Sequence, residues 1–260
     1  MINEHVFNNT KFEESEILKI FIGICRGLEV MHNYKHTSNS SASGRLFSEG
    51  NDEDEALLAR NETAEDDEND ENDNLHLPHP ATDAGTEAET NNSTEMAETI
   101  PFAHHDLKPP NVMLSAEGLS VLVDLGSCSR ARIRVRTRQQ ALTVTDFAQE
   151  HCTLPYRAPE LMDVETGAYI TEATDIWSLG CLLYCTCFGY SPFEKLEIDQ
   201  GANLNLAISQ GKYHIPEDRN GYSKELIDLI RQCLQVKAKN RPTARDLIQR
   251  ALEISRKLDV

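Results

Sequence analysis

The sequence has little positive charge, because 25 lysines and arginines stand against 43 acidic residues and give a formal net charge of −18. Residues 36–99 hold 18 of those acidic residues against two arginines, so the remainder of the chain is close to neutral. No basic stripe of the kind that follows a nucleic-acid backbone stands out. We therefore predict that the protein has no nucleic-acid partner.

Long apolar runs are also scarce. The longest stretch without a charged residue is 176–193, which only reaches the lower limit of a membrane-spanning helix. It contains two glycines and a proline, and it follows directly after Asp175. These features favour a buried core helix over 171–188, and we predict no transmembrane span.

The cysteines give little support for disulfides. They are seven, an odd number, in a chain that is not small, and no signal peptide opens the sequence. We therefore expect reduced thiols and a cytoplasmic protein. A metal site at Cys181, Cys185 and Cys187 is the alternative, but their apolar, helical surroundings favour buried small side chains.

Composition divides the chain into three parts. Residues 1–35 contain an amphipathic helix over 10–33, for which Thr10 and Glu13 could form a capping box. Residues 36–99 are rich in Asn, Ser, Thr, Asp and Glu and cannot bury enough apolar surface to fold. We predict a disordered acidic insertion there, at a surface hairpin that tolerates added length.

Residues 100–260 contain most of the remaining apolar pattern. Two short runs predict a β-hairpin of residues 112–114 and 121–123. Two later stretches have helical spacing, one beginning at the cap Ser223 and the other at Thr243, which pairs with Asp246.

Four motifs follow one another in this last part. They are HHDLKPPN at 104–111, Asp-Leu-Gly at 124–126, Ala-Pro-Glu at 158–160 and Asp-Ile-Trp-Ser-Leu-Gly at 175–180. In this order and spacing they resemble the catalytic loop, metal-binding motif, end of the activation segment and buried helix of eukaryotic protein kinases. The resemblance implies a mainly α fold, that of the kinase C-terminal lobe, with short β-hairpins at the catalytic loop.

The resemblance also assigns chemistry to four residues. Asp106 is the catalytic acceptor of the substrate hydroxyl proton, and Lys108 is the catalytic and ATP-binding cation that neutralises the transferred phosphoryl group. Asn111 and Asp124 are oxygen ligands that hold Mg²⁺ and, through it, ATP. Lysine at position 108 is typical of serine/threonine kinases, so the predicted reaction transfers the ATP γ-phosphate to serine or threonine of a protein substrate.

Further residues have implied structural roles. Asp175 would hold the backbone of the catalytic loop, and Glu160 would pair with Arg241. His105 replaces the arginine that normally receives an activation-loop phosphate, and imidazole is a poorer fork for phosphate. Leu125 replaces a phenylalanine and is expected to keep its packing. Candidate autophosphorylation sites lie in the activation segment, residues 130–157, at Thr143, Thr153 and Tyr156.

The segment QALTVTDFAQEHCTLPYRAPEL and the run WSLGCLLY are similar to the Numb-associated kinase group, and within it to the palmitoylated branch of Golgi or vacuole membranes. In that branch an additional helix lies in the activation segment, and residues 141–149 are its counterpart here. A lipidation site, like the glycine-rich loop and N-lobe lysine, would lie upstream of Met1.

With the N-lobe absent, we expect this chain alone to bind ATP weakly. A non-catalytic C-lobe, or pseudokinase-like binding module, is the alternative function.

Overall fold

The computed structural model describes residues 11–36 and 98–258, and this part of the chain is mainly helical with short antiparallel strand pairs. The helices are α1 Glu14–His32, α2 Arg138–His151, α3 Ala173–Phe188, α4 Pro192–Gln200, α5 Leu204–Gln210, α6 Lys224–Cys233 and α7 Ala244–Leu258. The strands are β1 Lys35–His36, β2 Glu98–Thr99, β3 Phe102–Ala103, β4 Val112–Leu114, β5 Ser120–Leu122, β6 Ser129–Arg130, β7 Ile133–Arg134 and β8 Tyr169–Ile170. The pairs are β1–β2, β3–β6, β4–β5 and β7–β8.

Helix α3 forms the centre of the core. It carries no charge after Asp175, and almost every side chain along it is buried. Trp177 is fully buried and stacks on Phe193, with ring centroids 5.5 Å apart. The prediction of a buried helix here is confirmed, and Cys181, Cys185 and Cys187 are buried side chains within it. No helix in the part of the chain described above is long and apolar enough to cross a membrane.

The contact between α3 and α6 depends on Gly180. A Cβ atom at this position would lie 2.6 Å from the Cβ of Cys233 and 3.0 Å from a methyl group of Leu234. We expect Gly180→Ala to destabilise the fold by about 1–3 kcal/mol, because overpacking outweighs the better helix propensity of alanine. Urea unfolding followed by circular dichroism measures this. Gln249→Ala, exposed on α7, is the control, and a midpoint that rises in Gly180→Ala would refute the close contact.

The predicted element boundaries need small corrections. Helix α1 begins at Glu14, since the amide of Glu13 donates to the carboxylate of Glu16 at 3.1 Å and closes the first turn; Thr10 lies outside the described residues. The second hairpin strand is Ser120–Leu122, one residue earlier than predicted. The caps at Ser223 and at Thr243 with Asp246 are confirmed.

The acidic stretch leaves the fold at a strand pair. Lys35 pairs with Thr99, and His36 pairs with Glu98. The chain therefore departs and returns at neighbouring points, which is the geometry that an insertion at a hairpin requires. Residues 37–97 lie outside the described part, so their predicted disorder stays a prediction.

Candidate active site

The loop 104–111 lies between β3 and β4, and the first turn of α3 holds its backbone. Asp175 is fully buried and accepts hydrogen bonds from the backbone amides of His104 at 2.8 Å and His105 at 2.9 Å. Its carboxylate also lies 3.0 Å from Nε2 of His32, on α1. The role predicted for Asp175 is confirmed, because one carboxylate fixes two consecutive amides of the loop.

The ionised form of Asp175 is favoured in spite of burial. Burial alone would raise the pKa of this carboxyl, but the hydrogen bond and charge of His32, together with the backbone donors, lower it to about 2. The group is therefore a carboxylate at neutral pH, as an acceptor of backbone amides must be.

Asp106 is the centre of a hydrogen-bond network. One carboxylate oxygen accepts from the hydroxyl of Thr153 at 2.6 Å and from its backbone amide at 3.1 Å. The other lies 2.7 Å from Nζ of Lys108 and accepts from Nδ2 of Asn111 at 3.1 Å. Four donors thus fix the plane of the carboxylate. Burial would raise the pKa of Asp106, but the bonds from Lys108 and Thr153 outweigh it, and the pKa lies below its ordinary value.

Thr153 is a site residue whose contacts sequence reasoning did not identify. Its hydroxyl donates to Asp106 and also accepts from Nζ of Lys108 at 2.8 Å, so it joins the two predicted catalytic residues. The sequence offered it only as a hydroxyl for modification. The signal that could have found it is its place at the end of the activation segment, five residues before Ala158.

Asn111 and Asp124 lie at the open end of the β4–β5 hairpin. Val123 donates its amide to the carbonyl of Asn111 at 3.0 Å, so Asp124 follows the residue that pairs with Asn111. Asp124 has a left-handed backbone, with φ 62°, which aspartate tolerates better than most residues.

These two residues fit a magnesium ion. The side-chain nitrogen of Asn111 donates hydrogen bonds to Asp106. The side-chain oxygen of Asn111 therefore remains available for a cation. The exposed carboxylate of Asp124 makes no hydrogen bond within the described ranges. Amide and carboxylate oxygens are the ligands that Mg²⁺ prefers beside phosphate oxygens. The donor set therefore suits Mg²⁺ with ATP.

The two histidines of the loop are structural. Nε2 of His104 lies 3.1 Å from the carbonyl of Val123, and the hydroxyl of Ser127 donates to the carbonyl of His104 at 2.7 Å. His105 has φ 64°, and its Nε2 lies 3.0 Å from the hydroxyl of Ser129. Burial lowers the pKa of His105 and favours the neutral ring. Its edge-on contact with Phe147, at 5.4 Å, ties the loop to α2.

The predicted pair of Glu160 and Arg241 is confirmed. It is bidentate, at 2.6 and 2.7 Å, and the arginine side chain is fully buried. Two other expectations are not met within the described residues. Leu125 is 44% exposed and does not keep its packing within the described residues. The phenol of Tyr156 is buried, so this residue is not an accessible site for phosphorylation.

A loop carboxylate bonded to lysine and threonine, next to a hairpin that carries two magnesium-type ligands, is consistent with the chemistry of phosphoryl transfer. The protein kinase domain family matches residues 97–252, more than half of the chain, so the chain belongs to the protein kinase family. The mainly helical fold with short strand pairs agrees with this assignment.

Curated relatives are serine/threonine kinases. The chain is 34% identical over 247 residues to serine/threonine-protein kinase ENV7 of Saccharomyces cerevisiae, covering 95% of this chain and 62% of the relative. It is 43% identical over 141 residues to serine/threonine-protein kinase 16 of Homo sapiens, covering 54% of this chain and 45% of the relative. A third match, 40% over 152 residues, is serine/threonine-protein kinase ppk13 of Schizosaccharomyces pombe, covering 58% and 44%. The chain spans about half to three fifths of these relatives.

Proposed function

We propose that the protein is a serine/threonine protein kinase that transfers the γ-phosphate of ATP to hydroxyl groups of a protein substrate. The observation that carries this proposal is the network in which Lys108 and Thr153 hold the Asp106 carboxylate. A binding module has no need of a carboxylate fixed by four donors and facing a cation. The serine/threonine kinases among its relatives support the same class of substrate.

Each residue of the site has a definite task in this reaction. Asp106, ionised because of its donors, orients the substrate hydroxyl and accepts its proton. Lys108 stands 2.7 Å from that carboxylate and offsets negative charge on the transferred group. Asn111 and Asp124 would hold Mg²⁺, which with ATP would supply the phosphoryl group when bound. The hydroxyl of Thr153 bonds to both Asp106 and Lys108 and fixes their relative positions.

We further propose that the described part is the kinase C-terminal lobe of a longer protein of the Numb-associated kinase group, in its palmitoylated branch. The helix α2, inside the activation segment, supports the branch assignment, since the resemblance called for an extra helix there. An upstream lipid anchor would place the protein on the cytosolic face of Golgi or vacuole membranes.

The non-catalytic module remains the second candidate. The observation that favours it is His105, whose buried ring replaces the arginine expected in the loop. Exposed apolar side chains near the site, Met113, Val121 and Leu125, fit either candidate, because an N-lobe or a partner protein could cover them.

Binding of Mg²⁺ with ATP distinguishes the two candidates. We expect millimolar ATP with Mg²⁺ to raise the melting temperature of the protein in desalted lysate of its own cells, detected with an antibody against α6 and α7. Saturating ligand stabilises by about 2.7 kcal/mol at one hundred times its dissociation constant, which corresponds to several degrees. Asp124→Asn should remove most of this shift, because it weakens the metal site.

The controls for this measurement are chelation of Mg²⁺ and the variant Glu253→Gln, which changes an exposed residue of α7. The control variant should shift as the natural protein does. If the melting temperature of the natural protein does not change at any ATP concentration, the result supports the binding module. If Asp124→Asn retains the shift, Asp124 is not a ligand of the metal ion.

A further inference from the structure

A row of arginines lies on an exposed edge that the proposed chemistry does not use. Five arginines occur between residues 130 and 138, and no acidic residue occurs from 125 to 145. Along this segment the side chains alternate, with 131, 133 and 135 buried and the intervening arginines exposed. The buried residues anchor the segment to the core, so the backbone positions of the arginines are fixed. Arg134 and Arg138 are called the arginine strip below.

Among the residues that the structure describes, no carboxylate neutralises the two arginines of the strip. Arg132, just before it, is bound by both carboxylate oxygens of Glu172, at 2.8 and 3.1 Å. Arg134 instead lies over the ring of Tyr169, 5.2 Å from its centroid, a cation–π contact that leaves the positive charge of the guanidinium in place. Arg138 opens α2, and the first turn of that helix contains no acidic residue. A helix N-terminus favours negative charge, so the arginine there adds to an already positive end.

The acidic stretch of the same chain is attached beside this strip. As the chain returns from residue 97, Ile100 donates its amide to Tyr34 at 2.8 Å, and Pro101 accepts from Ala131 at 2.8 Å. Phe102 then pairs with Arg130. At about 3.3 Å per residue in an extended chain, Ala131 is about 10 Å from Arg134. The attachment point and the strip are therefore near neighbours.

We propose that the acidic side chains of residues 37–97 bind the arginine strip of their own chain. Charge complementarity supports this occupant, since 17 acidic residues lie in that stretch and guanidinium groups bind carboxylates by charge-assisted, often bidentate, hydrogen bonds. The tether supports it as well, because attachment at a neighbouring strand pair gives the stretch an effective concentration of about millimolar order. The proposal concerns an interaction surface, and its outcome is independent of whether Asp106 catalyses phosphoryl transfer.

The test compares nuclear magnetic resonance spectra of ¹⁵N-labelled full chains. Arg134→Glu combined with Arg138→Glu reverses the strip, and Lys212→Glu combined with Lys239→Glu makes the same change of charge at exposed lysines elsewhere. We expect the amide signals of 37–97 to move several-fold further in the strip variant than in the lysine variant. In the natural sequence, raising NaCl from about 50 mM to about 500 mM should move the signals in the same direction, because salt screens the attraction.

Three results would overturn the proposal. The first is equal movement of the signals in the two variants. The second is an absence of salt dependence in the natural sequence, a measurement that stands even if the strip variant does not fold. The third is a dependence of the signals on protein concentration, which would assign the contact to a second copy instead of the same chain.

Discussion

Cells whose own gene carries Asp106→Asn should yield a protein with at least about one hundredfold less phosphoryl transfer, since a positioned general base contributes about 10²–10⁴. Asparagine keeps the size of the side chain and an acceptor oxygen for Thr153, so the fold is retained. It cannot take the substrate proton, and it loses the charge that attracts Lys108 across 2.7 Å. The measurement is transfer of labelled phosphate to a general protein substrate by the immunopurified protein, with ATP and Mg²⁺ saturating.

The matched control is Glu253→Gln, which makes the same carboxylate-to-amide change at an exposed position of α7. Its rate should equal that of the natural protein. A rate for Asp106→Asn within threefold of the control would mean that the phosphate comes from a co-purifying kinase or from a different site. That result would leave the strip beside α2 untouched, because its test does not use catalysis.

Asp175→Ala should lower the free energy of unfolding by about 3–5 kcal/mol, a large part of the 5–15 kcal/mol typical of a domain. The substitution leaves the buried amides of His104 and His105 without an acceptor and His32 without its partner. Urea unfolding followed by circular dichroism measures the loss. Asp228→Ala breaks a surface pair with Arg231 and should cost less than about 1 kcal/mol. A similar small cost for Asp175→Ala would show that other contacts hold the loop.

The same carboxylate predicts a dependence on acid. The pKa of Asp175 in the folded protein, about 2, lies below its ordinary value of 3.8, so the unfolded chain binds the proton more readily between these values. The contribution of the ionised Asp175 to the free energy of unfolding is fully present above about pH 4. It is lost as the pH falls towards 2, by an amount on the order of 2 kcal/mol. Asp175→Asn should therefore lose less stability than the natural protein over that interval. Equal losses would contradict the assignment.

Much of this site could be predicted because its residues are close in sequence or have one strong chemical preference. Asp106, Lys108 and Asn111 lie within a single loop, and the hairpin length fixes where Asp124 comes. The role of Asp175 followed from the resemblance, in which an aspartate at the start of the buried helix holds the backbone of the catalytic loop.

The remaining features depend on long-range packing, which the pattern of a single segment does not contain. Thr153 lies 47 positions after Asp106 in the sequence. It reaches Asp106 only because residues 137–157 fold back over the loop. Leu125 looked like a core residue because its type is apolar, but its exposure depends on what lies against it. The orientation of His105 depends on Phe147, which lies in the helix predicted at 141–149, but no local pattern shows that this helix packs against the loop.

The position of Trp177 gives the protein an optical reporter that needs no engineering. It is the single tryptophan of the sequence, and in the core its indole lies against Phe193 and 5.1 Å from the guanidinium of Arg241. Selective excitation of tryptophan therefore yields emission from one known place, beside the ion pair that anchors the activation segment. Changes in the wavelength or lifetime of this fluorescence would report changes at the Glu160–Arg241 pair during unfolding, nucleotide binding or substitution of Glu160.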